Sequence, residues 1–147
     1  MKKIIIIFIF LLLNGCATPY QSSGLFSWSG GFDETPGPGK LTKVYFSGNG
    51  FIEHETAKIY ALYRSAEYTK EQGKSFFQMY TSLINASKDI TSDTVMLGSV
   101  GGKPTAFAYV LLLENPNENS LNADEVIEKY NHIVNPPKKE KNKRGKS

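Results

Sequence analysis

The chain has a single cysteine, Cys16, among its 147 residues, so no disulfide can form within it. The fold must rest on packing, hydrogen bonds and charge pairs alone. Histidine is almost as scarce, with only His54 and His132. His54-Glu55 is half of a zinc-protease pattern, but position 58 is Lys where the second histidine would stand. The expectation is no metal site and no cofactor, with both histidines facing solvent. Gly-x-Ser-x-Gly is missing, and no free thiol is left to act as a nucleophile once Cys16 is accounted for. Gly98-Ser99-Val100-Gly101-Gly102-Lys103-Pro104 carries Pro104 where a phosphate loop needs Ser or Thr for magnesium, so it reads as a hairpin turn. Asp33 and Glu34 are adjacent, which is weak ground for acid-base chemistry. No catalytic residue is assigned, and the expectation is a protein that is not an enzyme. Long apolar runs are also missing. Ile4 to Leu13 is ten residues, against about 20 for a spanning helix.

Charge is present but unevenly placed. The formal charge is +3. Six bases (Lys138, Lys139, Lys141, Lys143, Arg144 and Lys146) and one acid, Glu140, crowd the last ten residues. Lys2 and Lys3 open the chain, and the body from Ala17 to Pro137 has nine basic and thirteen acidic residues. A basic domain surface for nucleic acid is therefore not expected. Aromatics are plentiful, with eight Tyr, nine Phe and one Trp to supply buried area.

Met1-Lys2-Lys3, the apolar run, and Leu13-Asn14-Gly15-Cys16 together resemble a bacterial lipoprotein signal. Residues 1–15 would be removed and Cys16 would carry the lipid. Asn14 stands where such signals usually have a smaller residue. Ala17 follows the cysteine in place of Asp, which by resemblance to sorted lipoproteins implies the outer membrane, facing the periplasm. The expected partner of Cys16 is thus the lipid bilayer.

Beyond Cys16 the pattern predicts one small α+β domain. Residues 16–29 read as the lipidated cysteine and a tether, interrupted by Leu25, Phe26 and Trp28. Gly30 to Gly39 is dense in Gly and Pro and reads as an irregular entry loop. Leu41 to Ser47 alternates as a strand, ended by Gly48-Asn49-Gly50, residues that tolerate positive φ. Glu53 to Gln72 has helical spacing at Ile59, Leu62, Tyr63, Ala66 and Thr69 or Lys70, with Gly73 as its stop. Phe76 to Ile84 reads as a strand and Asn85 to Asp93 as a loop. Thr94 to Ser99 and Thr105 to Leu113 read as paired strands, the second apolar enough to be central. Asn122 caps a helix from Ala123 to Asn131 whose Val126, Ile127 and Tyr130 face inward. The predicted order is β-α-β-β-β-α, with helices on a mostly antiparallel sheet over residues 30–135. Residues 136–147 read as a disordered basic tail.

Four segments in this order resemble a family of small uncharacterised bacterial envelope lipoproteins. They are Gly30-Gly31-Phe32-Asp33-Glu34-Thr35, Phe46-Ser47-Gly48-Asn49-Gly50-Phe51, Tyr60-Ala61-Leu62-Tyr63-Arg64-Ser65-Ala66-Glu67 and Glu71-Gln72-Gly73. The family pattern is GG-aromatic-x-ET, GNG-aromatic, then a YALLRAAE helix ending in ENG. The likeness spans about residues 30 to 80 and implies location and fold, not a reaction. This chain has Ile52-Glu53 where the family carries Thr-Ser, which removes the helix's side-chain cap.

Within that pattern Arg64 has two readings. It is either a surface residue paired with Glu67 or Glu71, or a semi-buried clamp on Glu34 that fixes the Gly-Gly segment against the helix. Three function classes follow. The first is a non-enzymatic binding or structural domain that meets an envelope protein, the cell wall or anionic lipid. The second is a sensor or accessory subunit docking on an envelope complex through the aromatic surface of the long helix. The third is a hydrolase or ligand-binding domain with the Gly-Gly segment as a pocket rim.

Overall fold

The computed structural model describes residues 19–23 and 30–137. Cys16 and the signal before it, Leu25, Phe26 and Trp28, and the basic tail from Lys138 lie outside the described residues. The elements are β1 (Gly31–Pro36), β2 (Leu41–Ser47), α1 (His54–Glu71), β3 (Phe76–Tyr80), α2 (Leu83–Ser87), β4 (Met96–Val100), β5 (Lys103–Leu113), β6 (Leu121–Asn122) and α3 (Ala123–Val134). Without β1, α2 and β6 the order is the predicted β-α-β-β-β-α. The class is α+β, and every pairing between named strands is antiparallel.

β5 is the centre of the sheet. It pairs with β2 on one side and with β3 and β4 on the other, while β1 and β6 extend the two edges. Its apolar run suits that place, because both edges are paired over most of its length and Ala106, Ala108 and Val110 are fully buried on one face, while Phe107, Tyr109 and Leu111 on the other are half-buried. The β4–β5 connection is a two-residue turn, Gly101-Gly102, with φ of 58° and 75° at the two positions. Both torsions are positive, as a tight hairpin requires, so this segment is the turn the sequence predicts.

Helices α1 and α3 cover one face. Val44 and Phe46 point from β2 into that layer, fully buried, opposite Ala106 and Ala108 of β5. The inward stripe of α1 contains Leu62, Tyr63, Ala66 and Thr69 as expected, but it is centred on Ala57, Ala61 and Ser65. Ile59 is half-buried, and Lys70 is outside, bound to Asp124 at 2.9 Å. Small residues on both surfaces let the helix approach β5 closely. The Ser65 and Thr69 hydroxyls then donate back to the carbonyls of Ala61 and Ser65, each at 2.8 Å, so the close contact leaves no orphan polar group there.

Three local expectations are corrected. The Gly-Pro-rich segment is an edge strand: Gly31 to Pro36 pairs with β2 from Ser47 back to Thr42, and the irregular part is only the turn at 37–40. Ladder bonds and the alternation of Phe32 and Glu34 toward the helices outweigh the composition. The strand begun at Phe76 ends at Tyr80, because the Ser82 hydroxyl accepts from the Asn85 N–H at 3.0 Å and starts α2. The stretch 16–29 is not a free tether throughout, since residues 19–23 lie on the domain. The Ser23 N–H donates to the Phe32 carbonyl at 2.7 Å, and the Phe32 N–H to the Gln21 carbonyl at 2.8 Å.

The ends of α1 follow from its sequence. Glu53 at the N-cap makes no side-chain cap bond. At the other end Gly73, at φ 71°, lets its N–H reach the Lys70 carbonyl and that of Lys74 reach Thr69, at 2.9 and 3.0 Å. That double bond pattern satisfies carbonyls the helix leaves open. In α3 the Asn122 side chain accepts from the N–H groups of Asp124 and Glu125, as predicted, and the helix runs on to Val134.

Gly48 is needed for space and not for a positive φ. A Cβ there would stand 1.9 Å from Cγ2 of buried Ile52. Gly50 has nothing within 4 Å of the same position. Gly48→Ala should destabilise the domain by about 1–3 kcal/mol, the cost of overpacking, and Gly50→Ala should stay within about 0.5 kcal/mol of the parent in urea unfolding.

Candidate functional site

The densest polar constellation lies where β1, α1 and the segment 19–23 meet. Arg64 sits mid-helix and is only 8% exposed. Its Nε donates to Glu34 of β1. Nη1 and Nη2 donate to the two carboxylate oxygens of Glu71, both at 2.7 Å, and Nη1 also reaches Glu67 at 3.3 Å. The guanidinium lies over the Phe32 ring, 4.6 Å from its centre. Both readings of Arg64 therefore meet in one cluster: it pairs along its own helix and also clamps the Gly-Gly strand. Burial disfavours its charge, but the hydrogen bonds to Glu71 and Glu34 and their charges prevail, so its pKa moves up.

Three carboxylates around one guanidinium leave negative charge in excess. Tyr20 meets part of it by donating its hydroxyl to Glu67. Its ring packs against Phe32, Tyr60 and Tyr63, with centroids 4.9, 5.3 and 5.4 Å away. Burial first, then the hydrogen bond and charge of Glu67, push the Tyr20 phenol far above its ordinary value, so it stays a neutral donor. Gly31 completes the seat. At φ 143° it leaves room for the incoming chain, and a Cβ there would stand 2.7 Å from the Gln21 carbonyl oxygen.

Of the residues singled out from sequence, Gly30, Gly31, Glu34 and Arg64 come together here. Thr35 is exposed and pairs across the ladder with Lys43. Gly48, Asn49 and Gly50 lie at the same end of the sheet as Gly31, since Ser47 pairs with Gly31. There the Asn49 side chain accepts from the Phe51 N–H at 3.0 Å. Gly73 belongs to the opposite end of α1. His54 and His132 are exposed. Among the described residues no three His, Cys, Asp or Glu side chains are grouped to hold a metal. Phe32 and Tyr60 stand within the motif segments but were given no role there, and Tyr20 was not anticipated. A single tyrosine in a small polar stretch carries no periodicity that would mark it.

Open depressions mark the surface, one of them beside the cluster. One, about 370 Å³, runs beside Glu34 along Pro36, Lys40, Thr42 and Tyr68. The Glu34 carboxylate is held by Arg64 rather than free for a ligand. Another, about 510 Å³, lies between α1 and α3, lined by Lys58, Asp93, Glu125 and Lys129 around Leu62 and Tyr130. A second tyrosine site stands apart: the Tyr80 hydroxyl donates to Asp89 at 2.7 Å, and burial with that carboxylate pushes its pKa up to about 12.

No family model, curated protein or solved structure matches this chain. Among the described residues, no helix is long and apolar enough to cross a membrane.

Two outcomes follow from the charges. Arg64→Ala should cost about 2–4 kcal/mol, below the full range for a broken buried pair because the carboxylates reach solvent. Glu71→Ala should cost under about 1 kcal/mol, because its side chain is half exposed and Glu34 remains. Equal losses in chemical denaturation would contradict this ranking. For the tyrosines, the folded state raises the pKa of Tyr20, Tyr60, Tyr63 and Tyr80, so folding favours their neutral forms. Their contribution is complete below the unfolded value of 10 and is lost as pH rises through the folded values. Unfolding free energy should fall from pH 10 to 12, and Tyr80→Phe should reduce that slope.

Proposed function

We propose that the chain is a lipid-anchored protein of the bacterial envelope, held at Cys16, whose domain is a non-enzymatic binding or structural module. The observation that carries the reading is the signal: basic Met1-Lys2-Lys3, ten apolar residues, then Gly15-Cys16. The likeness to small envelope lipoproteins over residues 30 to 80 agrees with it, as does Ala17 with an outer-membrane, periplasm-facing address. The module class is supported by the way Arg64 is used. Its donors are directed to Glu34, Glu67 and Glu71 of the same domain, an arrangement that joins elements.

Docking through the aromatics of α1 is less well supported, because those rings have intramolecular work. Tyr60 and Tyr63 hold Tyr20, and the Tyr68 hydroxyl lies 3.0 Å from that of Thr42. A Gly-Gly pocket rim is also disfavoured, since residues 21–23 cover Gly31.

Fatty-acid labelling in the producing cell tests the anchor. Wild-type protein should incorporate label and partition into detergent, and Cys16→Ser should do neither and should remain unprocessed or soluble. Unchanged membrane fractionation of the variant would refute the anchor.

A further inference from the structure

Both ends of the described chain meet at one corner of the domain, and Tyr63 joins them. Its ring takes Tyr20 edge-on at 5.4 Å. Its hydroxyl donates to Asn131 at 3.2 Å and accepts from the Asn135 amide at 3.4 Å, at the end of α3. The Asn135 amide also donates to Asn131 at 2.8 Å, which fixes that end of the helix. Lys70 and Asp124 link the same two helices at their other ends. Tyr20 comes four residues after Cys16, and Asn135 comes three residues before Lys138, the first of six bases.

Resting on the lipid anchor proposed above, we propose that this Tyr20–Tyr63–Asn135 corner faces the bilayer and that its partner is the anionic head-group layer, met by the basic tail. Chain length decides the geometry. With Tyr20 docked, the four residues from Cys16 reach at most about 14 Å. With Tyr20 released, the fourteen residues from Cys16 to Gly30 would reach about 48 Å. Attraction between bases and anionic lipid fades within a Debye length of about 8–10 Å. The docked tyrosine therefore keeps the start of the tail near the range where its charge acts. The direction comes from the tail: its six bases against one acid draw it to an anionic surface, in opposition to the carboxylate excess around Arg64.

The test uses full-length lipidated protein with Pro136→Cys at the corner, or Glu118→Cys in the loop that follows β5 at the far end. Both positions are exposed, and the acylated Cys16 leaves the new thiol alone for a fluorophore. Energy transfer to a head-group dye is read in vesicles of phosphatidylcholine, with or without phosphatidylglycerol. Mass spectrometry of the N-terminal peptide reads the acyl group. Transfer from position 136 should exceed that from 118 by about twofold or more on anionic vesicles. The ratio should approach one on neutral vesicles, after deletion of 138–147, and in Tyr20→Ala, with vesicle co-sedimentation unchanged in each. Equal transfer in the acylated full chain, or a ratio that survives tail deletion, overturns the orientation and leaves the anchor standing. Tail-dependent retention on purified sacculi, with no effect of the tail on vesicles, overturns it in favour of the cell wall. A chain without acyl at Cys16 overturns both readings.

Discussion

The buried guanidinium of Arg64 is the constraint on which this corner of the structure depends. Removing a cation from water costs several kcal/mol even after relaxation, and that cost must be met by well-made bonds. Glu71 supplies a two-pronged pair from the same helix, Glu34 supplies a bond from β1, and Phe32 supplies a ring face. β1 needs this attachment. It is an edge strand, it begins at a glycine and ends at a proline, and only Gly31 of its six residues is buried. Such a strand has little apolar area of its own to hold it. The charge cluster makes the edge strand part of the domain.

The same cluster reaches the chain before the sheet. Glu67 is bound only weakly to Arg64, so its carboxylate is open to a second donor, and Tyr20 fills that place. Burial, the ring contacts and the hydroxyl act together, and the glycine at 31 keeps the backbone path clear. Without a disulfide, a small domain must fasten its periphery by other means. Here the centre is closed by small residues on α1 against Ala106 and Ala108, and the rim is fastened by aromatic and charged side chains.

Much of the fold was legible in the sequence because it follows from periodicity. Val44 and Phe46 alternate, Thr105 to Leu113 is almost wholly apolar, Asn122 precedes a helical stripe, and Gly73 follows one. These local signals agree with the final packing. The failures have separate physical origins. β1 was hidden by Gly and Pro because a strand can be held by its neighbour's ladder and by one ion pair. The α1 face was placed toward larger residues because its real contact is alanine on alanine, which hydropathy weights lightly. Ser82 was read as continuing a strand when its hydroxyl caps a helix. In the site, Arg64 and Glu34 could be paired from motif spacing, but Tyr20 could not. Its partners come from β1 and from two turns of α1, and nothing local to residues 17–29 encodes them.

A docked residue four positions after the proposed anchor at Cys16 changes what a tether is. A free chain of Gly, Ser and small polar residues samples many lengths, and the domain it carries samples all orientations. Fixing Tyr20 removes most of that freedom at the expense of ordering only a few residues, with ring burial and one charge-assisted bond as compensation. The orientation gained is then set by which surface Tyr20 occupies. Tyr63 makes that surface the one where α3 ends, so one side chain touches both the last helix and the docked Tyr20. The Tyr63 hydroxyl bridges Asn131 and Asn135 while its ring supports Tyr20, so the two ends of the described chain share one contact.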